Sequence, residues 1–564
     1  MRESFVIYPM ASGSEIISVR RAVLCISFTL ALSACSTSVM PTVGTGVTLN
    51  PNAWWRDGVC YEVFVRSFYD SDGDGIGDLR GLTARLDYIN DGNPASTASL
   101  GANCIWLMPI DKSASYHGYD VTDYYHVDPH YGTDEDFRNL VREAHRRGIH
   151  VIVDFVPNHS SSEHPFFQSA LQGPASPYRS WYRWSSTRPS QTGPWGQEIW
   201  HKSPVRDEYY YGVFWGGMPD LNYTTPAVMQ EMLRVTAYWL KEMTADGFRF
   251  DAIPYLVEEG DQLQNTRGTH EVLRQFGSAI RAEAPESFTI GEMSDPSPQI
   301  MATYYPDQLD AYFAFGVAFA TVDAARDGSA TGFIKAVSDA NATFPAGRWS
   351  PFLTNHDHVR VMTQLGGNAA KARVAASAML MLPGLPFVYY GEEIGMLGAK
   401  PDEMIRNPMQ WSAAASGGFT NGTPWEGLQP DWMTKNVAAQ DGDPASLLNH
   451  YRRLIRLRNA HSALNRGELF VASTSDGNAT TAAWLRASAD ENVFVAVNFG
   501  NQAVGQLKAA IAPSVGGIGG YRLQSLYEDP ADGCSGASIS SDGRTVTIGS
   551  IAAHGACVLR VRRD

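Results

Sequence analysis

Gly247-Phe248-Arg249-Phe250-Asp251-Ala252 is the stretch on which the reading of this 564-residue chain turns. As a β-strand its side chains alternate between two faces. Phe248, Phe250 and Ala252 fall on one face, Arg249 and Asp251 on the other. A strand buried on both faces reads as near-continuous apolar residues, so a face carrying one cation and one anion calls for a reason. The guanidinium beside it favours the ionised form of Asp251, and an ionised, oriented carboxylate at a strand end is a candidate nucleophile. The plain alternative is a structural ion pair, and the sequence on either side decides between the two.

Working outward, short apolar strands alternate with amphipathic helical segments. The strands are Val59–Val65, Asn103–Met108, Ile149–Asp154, the opening stretch, Phe288–Glu292, Leu309–Phe315, Pro351–Asn355 and Pro386–Gly391. Helical periodicity fills gaps between them at Asp134–Arg147, Pro226–Thr244, His270–Ala284 and Ala369–Met381, and a helix over Pro444–Asn459 ends the series. Eight strand-helix units predict an α/β fold, a (β/α)8 TIM barrel. The barrel is assigned to residues 52–154 and 218–468. Between its third and fourth strands lies a connection far longer than usual. Residues 155–217 of it are crowded with Trp181, Tyr182, Trp184, Trp195, Trp200, Tyr209, Tyr210, Tyr211, Phe214 and Trp215. They read as a small inserted domain on the C-terminal face of the barrel, where active sites are built. Residues 469–564 read as strands broken by Gly/Asn/Asp turns, with one helical turn near Lys508–Ala512. An antiparallel β-sandwich is expected there.

Polar residues gather at the C-terminal ends of these strands: Asp154 with Asn158 and His159, Arg249 and Asp251, Glu292, then Asn355, His356 and Asp357. A strand-end Asp alone is often a helix cap. At least three carboxylates at one barrel mouth would repel one another, which argues against a stability role. Cleaving a glycosidic bond needs such a set. One carboxylate attacks the anomeric carbon and a carboxylic acid protonates the leaving oxygen, while a third stabilises charge in the oxocarbenium-like transition state. Asp251 suits the nucleophile. Glu292, with no cation beside it in sequence and other carboxylates near, suits the acid/base. Asp357 remains as the stabiliser.

The segments Asp154-Phe-Val-Pro-Asn158-His159-Ser160, Gly247-Phe-Arg249-Phe-Asp251, Gly291-Glu292 and Thr354-Asn355-His356-Asp357 resemble the four motifs of the alpha-amylase family, glycoside hydrolase family 13. Met218-Pro-Asp-Leu-Asn222 and Gly384-Leu-Pro-Phe-Val-Tyr-Tyr-Gly-Glu392 match as well, and the likeness runs over residues 52–564 in order. The resemblance implies a retaining double displacement with Asp251 as nucleophile, Glu292 as acid/base and Asp357 gripping substrate hydroxyls. It also implies that His159 and His356 hydrogen-bond the sugar, that Tyr119 of His117-Gly118-Tyr119-Asp120 stacks on it, and that Arg249 orients Asp251.

A second candidate site is Asp70-Ser-Asp72-Gly-Asp74-Gly-Ile76-Gly-Asp78. Alternating carboxylates with intervening glycines can wrap oxygens around a hard cation. The loop opens like an EF-hand, but Gly81 stands where the closing Glu would be. Similar loops in the family bind structural Ca2+, which implies Asp70, Asp72, Asp74, Asp78 and the Ile76 carbonyl as ligands. A solvated acidic turn is the alternative.

Met218-Pro-Asp-Leu-Asn222 resembles a group intermediate between oligo-1,6-glucosidases and neopullulanases. Arg406-Asn-Pro408-Met409-Gln410-Trp411 is similar to the oligo-1,6-glucosidase side. Those exo-acting enzymes carry an Asp three residues before the stacking Tyr, which pairs with an Arg and closes a pocket around a chain end. Here that position is Tyr116, so Arg406 is expected to lack its carboxylate partner and the pocket to stay open. Ala252 after the nucleophile resembles α-1,4-acting members. The expectation is an α-amylase cutting internal α-1,4 bonds of starch-like glucans and maltooligosaccharides. The rivals are an α-glucosidase or neopullulanase-like enzyme on short maltooligosaccharides, with transglycosylation, and a non-catalytic carbohydrate-binding homologue. Intact Asp251, Glu292 and Asp357 speak against the last.

Bulk properties bound the partners. A net charge of -15 argues against nucleic acid, while an α-glucan needs no charge. The 14 Trp and 25 Tyr supply faces for stacking on sugars, though large domains bury aromatics in any case. Arg20-Arg21, the apolar run Ala22–Leu32 and Leu32-Ser33-Ala34-Cys35 resemble a bacterial lipoprotein signal over residues 1–35. The expectation is export, with Cys35 as a lipid anchor and residues 36–51 as a tether. Of six cysteines, Cys25 and Cys35 lie in the signal and Cys534 and Cys557 could form a disulfide. Cys60 and Cys104 are expected to be buried free thiols.

Overall fold

The computed structural model describes residues 53–511, 520–527 and 529–563. The signal, the tether and Cys35 lie outside the described residues. Eight parallel strands form one sheet: β1 (Cys60–Val63), β2 (Cys104–Leu107), β3 (His150–Phe155), β4 (Gly247–Phe250), β5 (Phe288–Gly291), β6 (Ala311–Phe313), β7 (Trp349–Ser350) and β8 (Phe387–Tyr389). Their order is β7-β6-β5-β4-β3-β2-β1-β8. The ring closes where the Phe387 N–H donates to the Pro351 carbonyl at 2.9 Å. This is the (β/α)8 barrel the alternation implies.

One strand and one helical turn need correction. The seventh strand is Trp349–Ser350 rather than Pro351–Asn355. Pro351 has no N–H for a ladder, and the residues after it turn away to carry Asn355, His356 and Asp357 over the mouth. Lys508–Ala512 holds no helical turn in its described part, because Val504–Ile511 is a strand.

The helices at Asp134–His145, Pro226–Lys241, Arg267–Glu283, Ala369–Leu380 and Leu447–Ala460 follow the periodicity. The first is fixed by a capping box of Thr133 and Asp136. On β4, Phe248 and Phe250 point outward to Phe155 and to Phe276 of the Arg267–Glu283 helix. Arg249 points inward, 5.1 Å from the Trp106 ring. Gly247 lets β4 press on β5, since a Cβ there would lie 1.9 Å from the Phe288 carbonyl oxygen.

Cys60 and Cys104 are not free thiols. They face each other in register on β1 and β2 and form a disulfide. Only that register, which no spacing in the sequence reveals, brings them together. Cys534 and Cys557 form a second disulfide.

Between β3 and β4 stand a helix, Pro165–Leu171, and a small antiparallel sheet of Trp184–Ser185, Tyr209–Tyr211 and Trp200–Lys202. Phe167 packs edge-on against Tyr182 and Tyr210. The C-terminal sheet has eight antiparallel strands. Along Thr481–Ala487 and Asn492–Asn498 the side chains alternate. Ala483, Leu485, Phe494 and Ala496 join Leu507, Ala509, Val546 and Ile548 in one cluster, so two halves of the sheet enclose a core. Trp484, Val493, Val495 and Val497 join the large core that includes the barrel helices.

Candidate active site

The centre of the barrel mouth is a buried guanidinium. Arg249 Nη1 donates to Asp154 at 2.8 Å and to Asp251 at 2.7 Å, and Nη2 lies 2.7 Å from Glu292. That last contact lacks the alignment of a hydrogen bond. Register explains the convergence: Arg249 pairs with Asp154 on β3 and with Ile290 on β5, two residues before Glu292. Exposure separates the roles. The side chains of Arg249, Asp154 and His356 are 0% exposed, against 10% for Asp251, 16% for Glu292 and 27% for Asp357. The three acids named from the sequence are the ones a ligand in the mouth can touch.

Ala252 departs from the alternation. It has φ +48°, outside the strand, and packs with Ile199, Tyr211, Val213 and Tyr255. A left-handed non-glycine residue beside a reactive group is a recognised form of site strain. Here it turns the Ala252 N–H toward Glu292 Oε2 at 3.2 Å.

Burial raises the Glu292 carboxyl to about 7, with Asp251 and Asp357 adding to the rise and Arg249 opposing it. Burial likewise lifts Asp154 to about 7 against the pull of Arg249. Asp357 goes the other way: burial works against its charge, but His356, Arg406 and Lys400 hold it well below the usual carboxylate range. For His356, burial disfavours the cation, yet Asp357 and Glu62 raise it to about 9. The site thus holds two buried carboxyls, Glu292 and Asp154, lifted toward neutrality, beside one firmly ionised carboxylate and an imidazolium.

Tyr119 joins these groups. Its hydroxyl donates to Asp154 at 3.1 Å and lies 2.6 Å from His356 Nε2, while its ring stacks on the His356 ring at 5.5 Å. His159 Nε2 meets the Tyr119 carbonyl at 3.1 Å. His117 accepts the Tyr119 N–H at 3.1 Å. Gly118 between them has φ +83°, and a Cβ there would strike Pro109 at 2.8 Å.

Three buried residues escaped the sequence reading. Glu62 accepts from His356 Nδ1, Trp106 Nε1 donates to Asp154 at 3.3 Å, and Asp402 pairs with Arg406. Glu62 sits in an apolar strand, and a lone acid inside Val59–Val65 was the available signal. Arg406 does not lack a carboxylate partner. Its Nη2 lies 2.9 Å from Asp357 and 3.2 Å from Asp402, one helical turn before it, and its guanidinium stands 5.9 Å from the Tyr116 ring. Tyr116 stacks on Trp425 at 5.4 Å and 29°.

The acidic loop folds on itself beside Phe419–Trp425. Oxygens of Asp70, Asp72 and Asp78 lie within 4.8 Å of one another, an all-oxygen donor set that fits a hard cation. Asp74 is not in this group: its carboxylate accepts the Ile76 N–H at 2.7 Å. Asp78 caps the helix Leu79–Ala84 through the Gly81 N–H. Gly81 itself admits no side chain, since a Cβ would lie 2.0 Å from the Tyr69 carbonyl.

Three carboxylates, Asp154, Asp251 and Glu292, converge on one buried arginine and a fourth, Asp357, pairs with an imidazolium, a set of groups suited to glycoside hydrolysis. The family model described as "Alpha amylase, catalytic domain" matches residues 62–467. The chain is 39% identical over 429 residues to "Alpha-amylase 3" of Dictyoglomus thermophilum, covering 75% of this chain and 81% of the relative. It is 32% identical over 521 residues to a "Probable alpha-glucosidase" of Rhizobium meliloti, covering 81% and 92%. The crystal structure of an alpha-amylase from H. orenii superposes with TM-score 0.78 at 39% identity, over 90% of this chain and all of that one. The chain belongs to the alpha-amylase family, glycoside hydrolase family 13, and it is an enzyme of that class.

Proposed function

We propose that the protein is a retaining α-amylase that cuts internal α-1,4 bonds of starch-like glucans. The observation that carries the chemistry is the shared guanidinium: Asp251 and Glu292 both face Arg249 from neighbouring strands and both reach the mouth. Asp251, held by Nη1 of Arg249, attacks the anomeric carbon while protonated Glu292 gives its proton to the leaving oxygen. Glu292, now a carboxylate, then takes a proton from the water that releases the sugar. Asp357 stays ionised and meets both sugar hydroxyls and developing positive charge. His159, His356 and Tyr119 line the same pocket.

Internal cutting rests on Tyr116. Where exo-acting relatives are expected to close the pocket with an Asp, this chain presents an aromatic pair, Tyr116 on Trp425, over which a longer glucan can run. The identity to an alpha-amylase supports this reading. The likeness to a probable alpha-glucosidase favours the second reading, action on short maltooligosaccharides with transglycosylation. A time course of soluble starch with product sizing separates them. Viscosity and iodine colour falling before glucose appears supports internal cutting, and glucose from the first minutes overturns it.

We read the loop Asp70–Asp78 as a structural Ca2+ site held by Asp70, Asp72 and Asp78. Calcium there would fix the loop, and no catalytic step passes through it. Export with a lipid on Cys35 is likewise our reading of residues 1–35; equal recovery of native protein and Cys35→Ala in membranes overturns it.

A further inference from the structure

We propose that His145, His150 and Asp246 form a Zn2+ site at the end of the barrel opposite the catalytic mouth. The three come from separate elements: His145 ends the helix Asp134–His145, His150 opens β3, and Asp246 directly precedes β4. The same two strands carry Asp154 and Asp251 at their other ends, so the site is remote from the chemistry.

The donor atoms already converge. His145 Nε2 lies 2.8 Å from Asp246 Oδ2, His150 Nδ1 lies 3.2 Å from Asp246 Oδ1, and all three ligand atoms fall within 4.8 Å of one another. Two imidazoles and one carboxylate with an open fourth position is a donor set that zinc accepts. Tetrahedral zinc at ~2.0–2.1 Å from each ligand places ligand atoms about 3.3 Å apart. The two histidine–carboxylate separations, 2.8 and 3.2 Å, lie close to that spacing, and the 43% exposed His145 side chain has room to adjust. Asp246 is fixed in place, since its Oδ2 also accepts the Val151 N–H at 2.7 Å. Arg138, Arg142 and Arg146 also lie on this face, but each bonds a local acceptor: Arg146 pairs with Glu143, Arg138 with Glu135, and Arg142 with Asn139. Trp54 stacks on the His150 ring at 4.0 Å and 12°, which places an emitter against one ligand.

The ion would tie the end of a helix to the starts of two adjacent strands, on the face of the barrel where residues serve stability. In the structure the carboxylate accepts from both imidazoles.

The test uses the full chain, stripped with chelator and then given excess Ca2+ to saturate the acidic loop. Co2+ is titrated in as a spectroscopic stand-in for Zn2+. One equivalent with tetrahedral ligand-field bands and quenched tryptophan emission is expected, displaced by Zn2+. His145→Asn should weaken binding by more than about 10-fold while starch hydrolysis is unchanged. Asp246→Asn is the second variant. Zn2+ should also shield His145 of the native chain from diethyl pyrocarbonate, a readout that needs no variant. Absence of the bands in the native chain, equal Co2+ binding in the native chain and both variants, or unshielded His145, overturns the proposal.

Discussion

Glu62 Oε1 lies 2.7 Å from His356 Nδ1, and both side chains are sealed from solvent. The carboxylate also accepts the His356 backbone N–H at 3.3 Å. One buried acid on β1 therefore fixes the ring, so that Nε2 faces the Tyr119 hydroxyl and Asp357. Trp106 packs edge-on against the same ring, and Arg406 donates from Nε to the His356 carbonyl.

The first prediction concerns this pair. Glu62→Gln keeps the shape but removes the charge, and a hydrogen bond to a charged group is worth ~1.5–3 kcal/mol. If that sum appears in the transition state, kcat/KM falls by roughly 10- to 100-fold. His356 has a folded pKa raised to about 9. Its stabilisation is complete below its unfolded value and is lost as pH rises through about 9. Glu62→Gln should move that loss to lower pH, read as melting temperature against pH. An unchanged pH dependence would leave Glu62 a packing residue only.

Asp251→Asn tests the nucleophile. The isosteric amide keeps a hydrogen-bond acceptor for Arg249, so folding should survive, with a melting temperature within a few degrees of the native enzyme. Starch hydrolysis should fall by at least about 10³-fold, roughly 4 kcal/mol of transition-state stabilisation. Retained activity in the folded variant would sink the assignment.

Glu292 must carry a proton to act as the acid. Its carboxyl is raised to about 7 by burial, with help from Asp251 and Asp357. The rate of kcat/KM should therefore fall as pH rises through about 7. Glu292→Gln should remove this alkaline limb along with most of the rate, and residual activity toward substrates with acidic leaving groups should exceed that toward starch. A limb that persists unchanged in the variant assigns the proton to another group. In stability the acidic side belongs to Asp357. Its folded pKa is depressed, so its contribution is present above the unfolded value and lost as pH falls through the folded one.

Much of this site was legible because the barrel reports its own register. A strand-helix alternation fixes which ends of the strands form the mouth, and Asp154, Asp251 and Glu292 follow from their places at those ends, whereas Asp357 lies beyond the Trp349–Ser350 strand in the segment that crosses the mouth. What stayed hidden depends on pairing across the sheet or on turns off it. The Cys60–Cys104 bond exists because β1 and β2 align those two residues. Glu62 finds His356 across 294 residues of chain. Asp402 reaches Arg406 because a short helix, Asp402–Ile405, brings position i to i+4. Ala252 looked like a strand residue because periodicity alone cannot show a positive φ.

The acidic loop gives a prediction of stability rather than rate. The like-charged carboxylates of Asp70, Asp72 and Asp78 converge, and those of Asp70 and Asp78 accept from backbone N–H groups and from the Ser71 and Thr420 hydroxyls. A cation binding the folded chain raises stability by mass action. Chelation should lower the melting temperature by several degrees, reversed by added Ca2+, with kcat unchanged at temperatures where the chain stays folded. Asp72→Asn should abolish the Ca2+ dependence. A melting temperature indifferent to Ca2+ would leave the loop a solvated turn.

We propose that chain-length specificity depends on Arg406. Its guanidinium is held between Asp357 and Asp402, beneath the Tyr116 ring. The Arg66 guanidinium stands over the other member of the pair, 5.2 Å from the Trp425 ring, so both rings are backed by a cation. Tyr116→Asp removes the stacking face and adds a carboxylate next to an arginine already sharing two. Taking the ~0.5–1.5 kcal/mol of an aromatic stacking contact as the scale, kcat/KM on soluble starch should fall roughly 2- to 12-fold. If the new carboxylate draws Arg406 across the mouth, activity on maltotriose should fall less, or rise, and glucose should appear earlier in a starch digest. Asp402→Ala in the same background frees Arg406 further and should strengthen the shift. Equal losses on starch and maltotriose would mean that the platform does not select chain length.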